Sequence, residues 1–291
     1  MKRIAPSELI INPDGSIYHL HLQPEQLADT VLVVGDPGRV PEVSKHFDRI
    51  DHKVSNREMV THTGWIGKKH LTVLSSGMGT DNMDIVLNEL DALVNIDLKE
   101  RTVNNLHKQL SIIRIGTSGG LQPDIPTEGL IASTHGIGLD GLLYFYEKYA
   151  DAIDKEMTDA FIKHTNWPDN LPQPYAVTAS PKLLNLIGDG IYKAMTCTSP
   201  GFYAPQGREL RLTPRLANIG EMMTTFRYNE RRIGNFEMET SALYGLGTLL
   251  GHQTLTVCTI VANRCTKEFS QNYKIAIERL IKHVLGKVCL Q

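Results

Sequence analysis

Residues 235–247 read NFEMETSALYGLG, which sets Glu237 and Glu239 on either side of Met238, just ahead of an apolar run suited to a buried helix start. Burying an ionised carboxylate costs several kcal/mol unless something pairs with it. Two acids there mark either a structural ion network or a grip for a hydroxyl-rich ligand. Three arginines stand beside glycine-bearing turns: Arg39 after Gly35-Asp36-Pro37-Gly38, Arg57 ahead of a hairpin, and Arg114 leading into Gly116-Thr117-Ser118-Gly119. Glycine lets backbone N–H groups approach an anion, Thr117 adds a hydroxyl donor, and guanidinium groups add forked, charge-assisted donors, so phosphate is the fitting ligand. A solvated or salt-bridged side chain is the competing reading for each arginine; Arg114 resists it best because it interrupts an apolar run.

The turn-rich stretch 201–208, GFYAPQGR, carries Gln206 and Arg208 two residues apart with Phe202 nearby. An amide with donor and acceptor, a guanidinium and an aromatic face suit a flat polar heterocycle. A plain surface loop is the alternative. No GxxxxGK[ST] appears, and Gly116-Thr117-Ser118-Gly119 is not GxGxxG, which weakens an NTPase or a dinucleotide reading of these loops and leaves free phosphate or a small phosphorylated molecule.

The elements that must position these groups alternate between strand and helix. Val31–Val34 reads as a buried strand opening into the 35–38 loop, followed by a helix over Arg39–Phe47. Glu58–Ser76 reads as a hairpin returning along Leu71–Ser75, and Met83, Val86, Leu90, Leu93 and Val94 recur at helical spacing behind a Thr80 or Asp81 cap. Ser111–Ile115 is a strand ending in a loop at 116–120. Gly129–Ser133, Tyr175–Ala179, Thr196–Ser199 and Leu255–Ala262 are further strands; a helix from Ser180-Pro181 to about Met195 and a C-terminal helix from Tyr273 complete the pattern. The fold class that follows is α/β, a three-layer α/β/α sandwich around a mixed sheet, with functional groups gathered in loops at strand ends.

With 41% hydrophobic residues in 291 and no linker, repeat or charge block, the chain is expected to form a single domain over 1–291. A formal charge of −2 carries no basic footprint for nucleic acid, and no apolar run reaches transmembrane length. Cys197, Cys258, Cys265 and Cys289 lack CxxC spacing; with no signal-like start, they fit a reduced cytoplasmic setting.

Taken together, Tyr18-His19-Leu20, GDPGRV at 35–40, SNREM at 55–59, SSGMG at 75–79, RIGTSGG at 114–120, GFYAPQGR at 201–208, NFEMETSALY at 235–244 and ANR at 262–264 resemble the nucleoside phosphorylase-I family, and within it the uridine phosphorylases. The resemblance runs over most of the chain and implies a distorted mixed sheet. It also implies phosphorolysis of a nucleoside to free base and ribose 1-phosphate. Carried over by position, it gives phosphate to Gly35, Arg39, Arg114 and Thr117, with Arg57 reaching in from a neighbouring subunit. Ribose falls to Glu239, with Met238 and Glu237 beside it and His19 of the neighbour at the 5′-hydroxyl. The base falls to Phe202, Gln206, Arg208 and Arg264, and catalysis to Arg114, Gln206 and Arg208. Purine-specific relatives place an aspartate where this chain has Arg264, which points to uracil.

The same resemblance implies a homo-oligomer, at least a dimer; bacterial relatives are commonly hexamers built as trimers of dimers. It implies no resident cofactor or metal, phosphate being a co-substrate. Some bacterial uridine phosphorylases hold a monovalent cation through a glutamate matching Glu58 and a serine; this chain departs from that pair with Asn82. Another nucleoside, hydrolysis by water, and a non-catalytic nucleoside sensor on the same fold are the competing readings.

Overall fold

The computed structural model describes residues 2–290. In chain order the elements are β1 Thr30–Val34, α1 Arg39–Ser44, β2 Arg49–Asn56, β3 Met59–Ile66, β4 Lys69–Ser75, α2 Thr80–Asn95, the two-residue strands β5 Ile96–Asp97 and β6 Thr102–Val103, β7 Ser111–Gly120 and β8 Leu130–Gly138. There follow α3 Lys155–Thr165, β9 Tyr175–Thr178, α4 Pro181–Ile187, β10 Tyr192–Thr198, α5 Ile219–Thr225, β11 Arg227–Tyr228, β12 Arg231–Glu237, α6 Thr240–Leu249, β13 Gln253–Asn263, β14 Glu268–Phe269 and α7 Tyr273–Cys289.

The main sheet runs β11-β12-β10-β8-β13-β7-β1-β4-β3-β2 and is mixed. β1 is buried along its whole length and pairs in parallel with β4 and β7, as expected of a β-branched run covered on both faces. β2, an edge strand, alternates between exposed and half-buried residues. The distortion has a specific origin: β12 also pairs antiparallel with β7 through Asn235 with Gly120 and Phe236 with Gly119, closing β7, β12, β10, β8 and β13 into a barrel. α2 packs on α6, which lies against β8 and β13, while α4 and α7 pack together against β13, giving the outer helical layers. α6 is buried all round from Thr240 to Gly247, which explains why its segment shows no polar stripe.

Two expected elements change. The helix from Ser180 does begin with Ser180 Oγ accepting from Leu183 N–H at 3.3 Å, but it stops at Ile187, and Tyr192–Thr198 forms β10. Gly188-Asp189-Gly190 breaks the helix, with Gly190 in the left-handed region, and the following residues pair on both sides with β8 and β12. The 116–120 loop is instead the second half of β7, in register with Thr117–Thr259 and Gly120–Asn263 of β13. Those near-naked residues are where the barrel closes. The expected cap of α2 also shifts, from Thr80 or Asp81 to Gly79, whose φ of 99° suits glycine.

Candidate functional site

β1, β4 and β7 run parallel, so the loops at their carboxyl ends open on one side of the sheet, where the Gly35 backbone lies against Gly77. β12 delivers Glu237 and Glu239 to the same region as it turns into α6. Glu237 accepts from Glu239 N–H at 2.9 Å, from Thr240 N–H at 3.0 and 3.1 Å, and from the Thr198 hydroxyl at 2.7 Å. It therefore satisfies orphan donors at the start of α6, where a negative charge is favoured. Glu239 accepts from Gly79 N–H at 2.8 Å, which ties the β4–α2 loop to the acid pair.

Arg114 of β7 lies between the two acids. One Nη meets Glu237 at 3.2 Å and the other donates to Glu239; all three residues are 4% exposed. Burial pulls the Arg114 pKa down, but the Glu239 and Glu237 charges more than offset it, so the group is held above its ordinary value. Burial lifts the Glu239 carboxyl above its usual range, Arg114 opposes this, and the Glu237 charge adds to the rise. One guanidinium thus stands against two carboxylates in the interior, with a second, Arg39, nearby. Arg114 Nε is buried and has no hydrogen-bond partner among the described residues.

Arg39 reaches the same neighbourhood. It donates to the Ile115 carbonyl at 3.3 Å, and its pKa is lowered by burial first and by the nearby Arg114 charge second. Thr117, half-buried, stands three residues along β7 from Arg114. Gly35, Arg39, Arg114, Glu237 and Glu239 thus gather at one end of the sheet, with Thr117 and Met238 nearby along the chain but in no side-chain hydrogen bond or ion pair with them among the described residues.

The base-type residues form a second cluster. Arg208 donates to Gln206 Oε1 at 2.6 Å and to the Phe202 carbonyl at 2.5 Å, and its guanidinium sits 3.7 Å from the Phe202 ring centroid. Arg264, at the end of β13, donates one Nη to the Gln206 carbonyl, while its other Nη is buried and has no partner among the described residues. Neither arginine has an acidic partner among the described residues, and burial together with the Arg208 charge brings Arg264 down to about 10. The two clusters are joined through Ser199, whose N–H donates to the Glu237 carbonyl at 2.9 Å and whose hydroxyl donates to the Pro205 carbonyl at 3.4 Å.

His19 and Arg57 make their contacts with other residues of the chain. His19 Nδ1 is 2.6 Å from Glu89, Asn56 donates to the His19 carbonyl at 2.9 Å, and Arg57, with φ of 53°, lies over Tyr18 at 5.7 Å. No contact joins this group to Arg114 or Glu239 among the described residues. Glu58 and Asn82 both approach the Gly77 backbone, with the Asn82 amide nitrogen the nearer atom.

Sequence reasoning missed Thr198, Gly79 and the contact of Cys258. Cys258 is buried as a small hydrophobe should be, yet its Sγ is 3.6 Å from Arg114 Nη1. A group with metal-like spacing, Asp91, His107 and His252, was missed as well. His252 Nδ1 accepts from Leu110 N–H at 3.2 Å, so Nε2 carries the proton and faces Asp91 at 3.2 Å, while His107 Nε2 bonds the Leu250 carbonyl at 2.8 Å. A nitrogen that carries a proton offers no lone pair to a metal, so His252 as placed is not set to ligate one, although its Nε2 makes no hydrogen bond among the described residues.

The phosphorylase superfamily model matches residues 29–287. The chain belongs to that superfamily. It is 28% identical to a uridine phosphorylase of Thermococcus kodakarensis, covering 89% of this chain and 81% of that protein. It is also 29% identical to a DeoD-type purine nucleoside phosphorylase of Thermoanaerobacter, covering 89% of this chain and 97% of that one. Among solved structures, a Trypanosoma brucei nucleoside phosphorylase, described as showing uridine phosphorylase activity, superposes with a TM-score of 0.88 at 28% identity, covering 97% of this chain and all of the other. Members of the superfamily with these names are pentosyltransferases, and the chain is an enzyme of that type. Among the described residues, no helix is long and apolar enough to cross a membrane.

Proposed function

We propose that the chain catalyses phosphorolysis of a pyrimidine nucleoside, converting uridine and phosphate to uracil and ribose 1-phosphate in cytoplasmic nucleoside salvage. The observation that carries this reading is the pair Arg208 and Arg264, two half-buried guanidiniums converging on Gln206 with no ion-pair partner among the described residues. Such a pocket favours a ligand that gains negative charge. Uracil does so as its glycosidic bond breaks, its oxygens taking up the electron pair. Purine phosphorolysis would instead call for an acid near N7, and the family resemblance matches Arg264 to the position where purine-specific relatives carry one.

In this reading Gln206 and Arg208 hold the leaving base, with Phe202 lining its face and Arg264 offering its free Nη to a carbonyl. Glu239 holds the ribose hydroxyls, Met238 packs on the sugar, and Glu237 fixes Arg114. Gly35, Arg39, Arg114 and Thr117 hold phosphate, which lies beneath C1′ and stabilises the cationic sugar as the bond lengthens. His19 and Arg57 complete the site of a neighbouring subunit, making the active unit at least a dimer. Neither makes a contact with Arg114 or Glu239 of its own chain among the described residues, which is compatible with that assignment.

The test is base release from uridine, thymidine, inosine and adenosine, each with and without phosphate. Phosphate-dependent release of uracil is expected. Release from inosine alone, or release without phosphate, would overturn the reading. Arg208→Ala is expected to keep the fold and to lose on the order of 10²–10³ in rate, the cost of one preorganised donor.

A further inference from the structure

A chain of polar groups runs from Glu237 through Thr198 and Ser241 to Asp140. Thr198, the last residue of β10 and fully buried, donates its hydroxyl to Glu237 Oε1 at 2.7 Å and accepts from Ser241 N–H at 3.0 Å. The Ser241 hydroxyl donates to Asp140 Oδ2 at 2.8 Å. Asp140 also accepts from Tyr175 OH at 2.7 Å and from Leu142 N–H at 2.8 Å. Burial raises the Asp140 pKa, so this acid is held in the interior only because donors surround it.

The order of donors fixes the direction of each bond. Glu237 can only accept, and the Ser241 N–H occupies an acceptor position on Thr198, so the Thr198 hydroxyl proton must point at Glu237. With Oε1 anchored there, Oε2 is left facing Glu239 N–H, Thr240 N–H and Arg114 Nη1. Arg114 is thereby held against Glu237 as well as Glu239, and its unpartnered Nε keeps a single direction. Thr198 lies beside Glu237 in the β10–β12 register and immediately precedes Ser199, from which the Gln206 loop hangs.

We propose that Thr198 is a positioning residue of this site: its hydroxyl locks Glu237 and, through Glu237, sets the guanidinium of Arg114 for phosphate. The inference rests on the phosphate role given to Arg114 above. Losing a hydrogen bond to a charged group in a buried site corresponds to about 10- to 100-fold in affinity.

Titration calorimetry with inorganic phosphate, which needs no nucleoside, supplies the test. Thr198→Val keeps the branched shape and removes the hydroxyl; it is expected to weaken phosphate binding about 10- to 100-fold. Thr198→Ser, which keeps the hydroxyl, is expected to stay within about threefold of the parent. In a Glu237→Ala background, which removes the acceptor, Thr198→Val is expected to cost little further, because the two residues act as a unit. Should the valine variant not fold, Thr198→Cys, with a weaker donor of similar size, takes its place with the same expectation.

Unchanged phosphate affinity in Thr198→Val, or a serine variant as impaired as the valine one, would overturn the proposal while leaving phosphorolysis intact. Absence of phosphate binding by the unmodified protein would overturn the phosphorolysis reading and the proposal together.

Discussion

Gly116→Ala tests how Arg114 is held. A Cβ added at Gly116 would lie 2.2 Å from Arg114 Nη1, 2.9 Å from its Cζ and 2.9 Å from Cys258 Sγ. A free arginine tip would swing aside at little cost, but this one is pinned by Glu237 and Glu239 and enclosed by the barrel strands. The new methyl group must therefore displace it and leave two buried acids without their cation. Breaking a buried ion pair from one side costs about 3–5 kcal/mol. At about 2–4 °C per kcal/mol for a large domain, melting should fall by roughly 6–20 °C. Rate should fall on the order of 10²–10³, as for any lost preorganised donor.

The pH dependence carries a sign. Burial raises the folded-state Glu239 carboxyl above its unfolded value, so its charged form destabilises the fold. That penalty is absent below the unfolded pKa, grows as pH rises through it, and is complete above the folded pKa. Removing Arg114 from the pair raises the folded value further, so the melting deficit of Gly116→Ala should be smaller near pH 5 than near pH 8. Scanning fluorimetry across pH, paired with phosphorolysis rates, measures both effects. A variant melting within about 2 °C of the parent and turning over within about threefold would refute the reasoning about how Arg114 is held.

Other outcomes follow from the same geometry. Arg264→Met removes a half-buried cation that has no ion-pair partner among the described residues; melting is expected to hold or rise while uracil release falls about 100-fold, and a clear drop in melting would contradict the argument. Mixing Arg57→Ala and Arg114→Ala subunits after dissociation should restore about a quarter of parental activity, since half of the dimers are mixed and each holds one intact site. No recovery would place Arg57 outside its neighbour's site. Asp91→Asn should lower stability by about 1–3 kcal/mol through Asn95, whose amide donates to Asp91, and leave kinetics and chelator response unchanged, whereas metal-dependent melting would contradict the metal-free reading of that cluster.

Much of the fold was legible because its signals are local. The β-branched run of β1, the helical spacing of α2 and the serine cap with proline at the start of α4 each depend on neighbours a few residues away. β10 was legible only in its last residues, Thr196–Thr198; Tyr192–Met195 read as the end of a helix because their strand character appears only when β8 and β12 pair with them on both sides. The glycine-rich half of β7 read as a loop for the same reason: its strand character comes from β13 and β12, more than a hundred residues further along the chain.

At the site, residue chemistry alone marked the acids, the arginines and the amide, and the eight motifs identified the family. The sequence by itself thus determined which groups are present and which charges must be compensated, because side-chain type and burial cost are local properties. Only the tertiary structure decided that Arg114 stands between Glu237 and Glu239, that Gly79 and Thr198 supply their remaining donors, and that His19 and Arg57 make their contacts with other residues of the chain. Arg114 and Glu239 are 125 residues apart. Their meeting depends on the closure of the barrel between β7 and β12, a pairing that no stretch of either strand encodes alone.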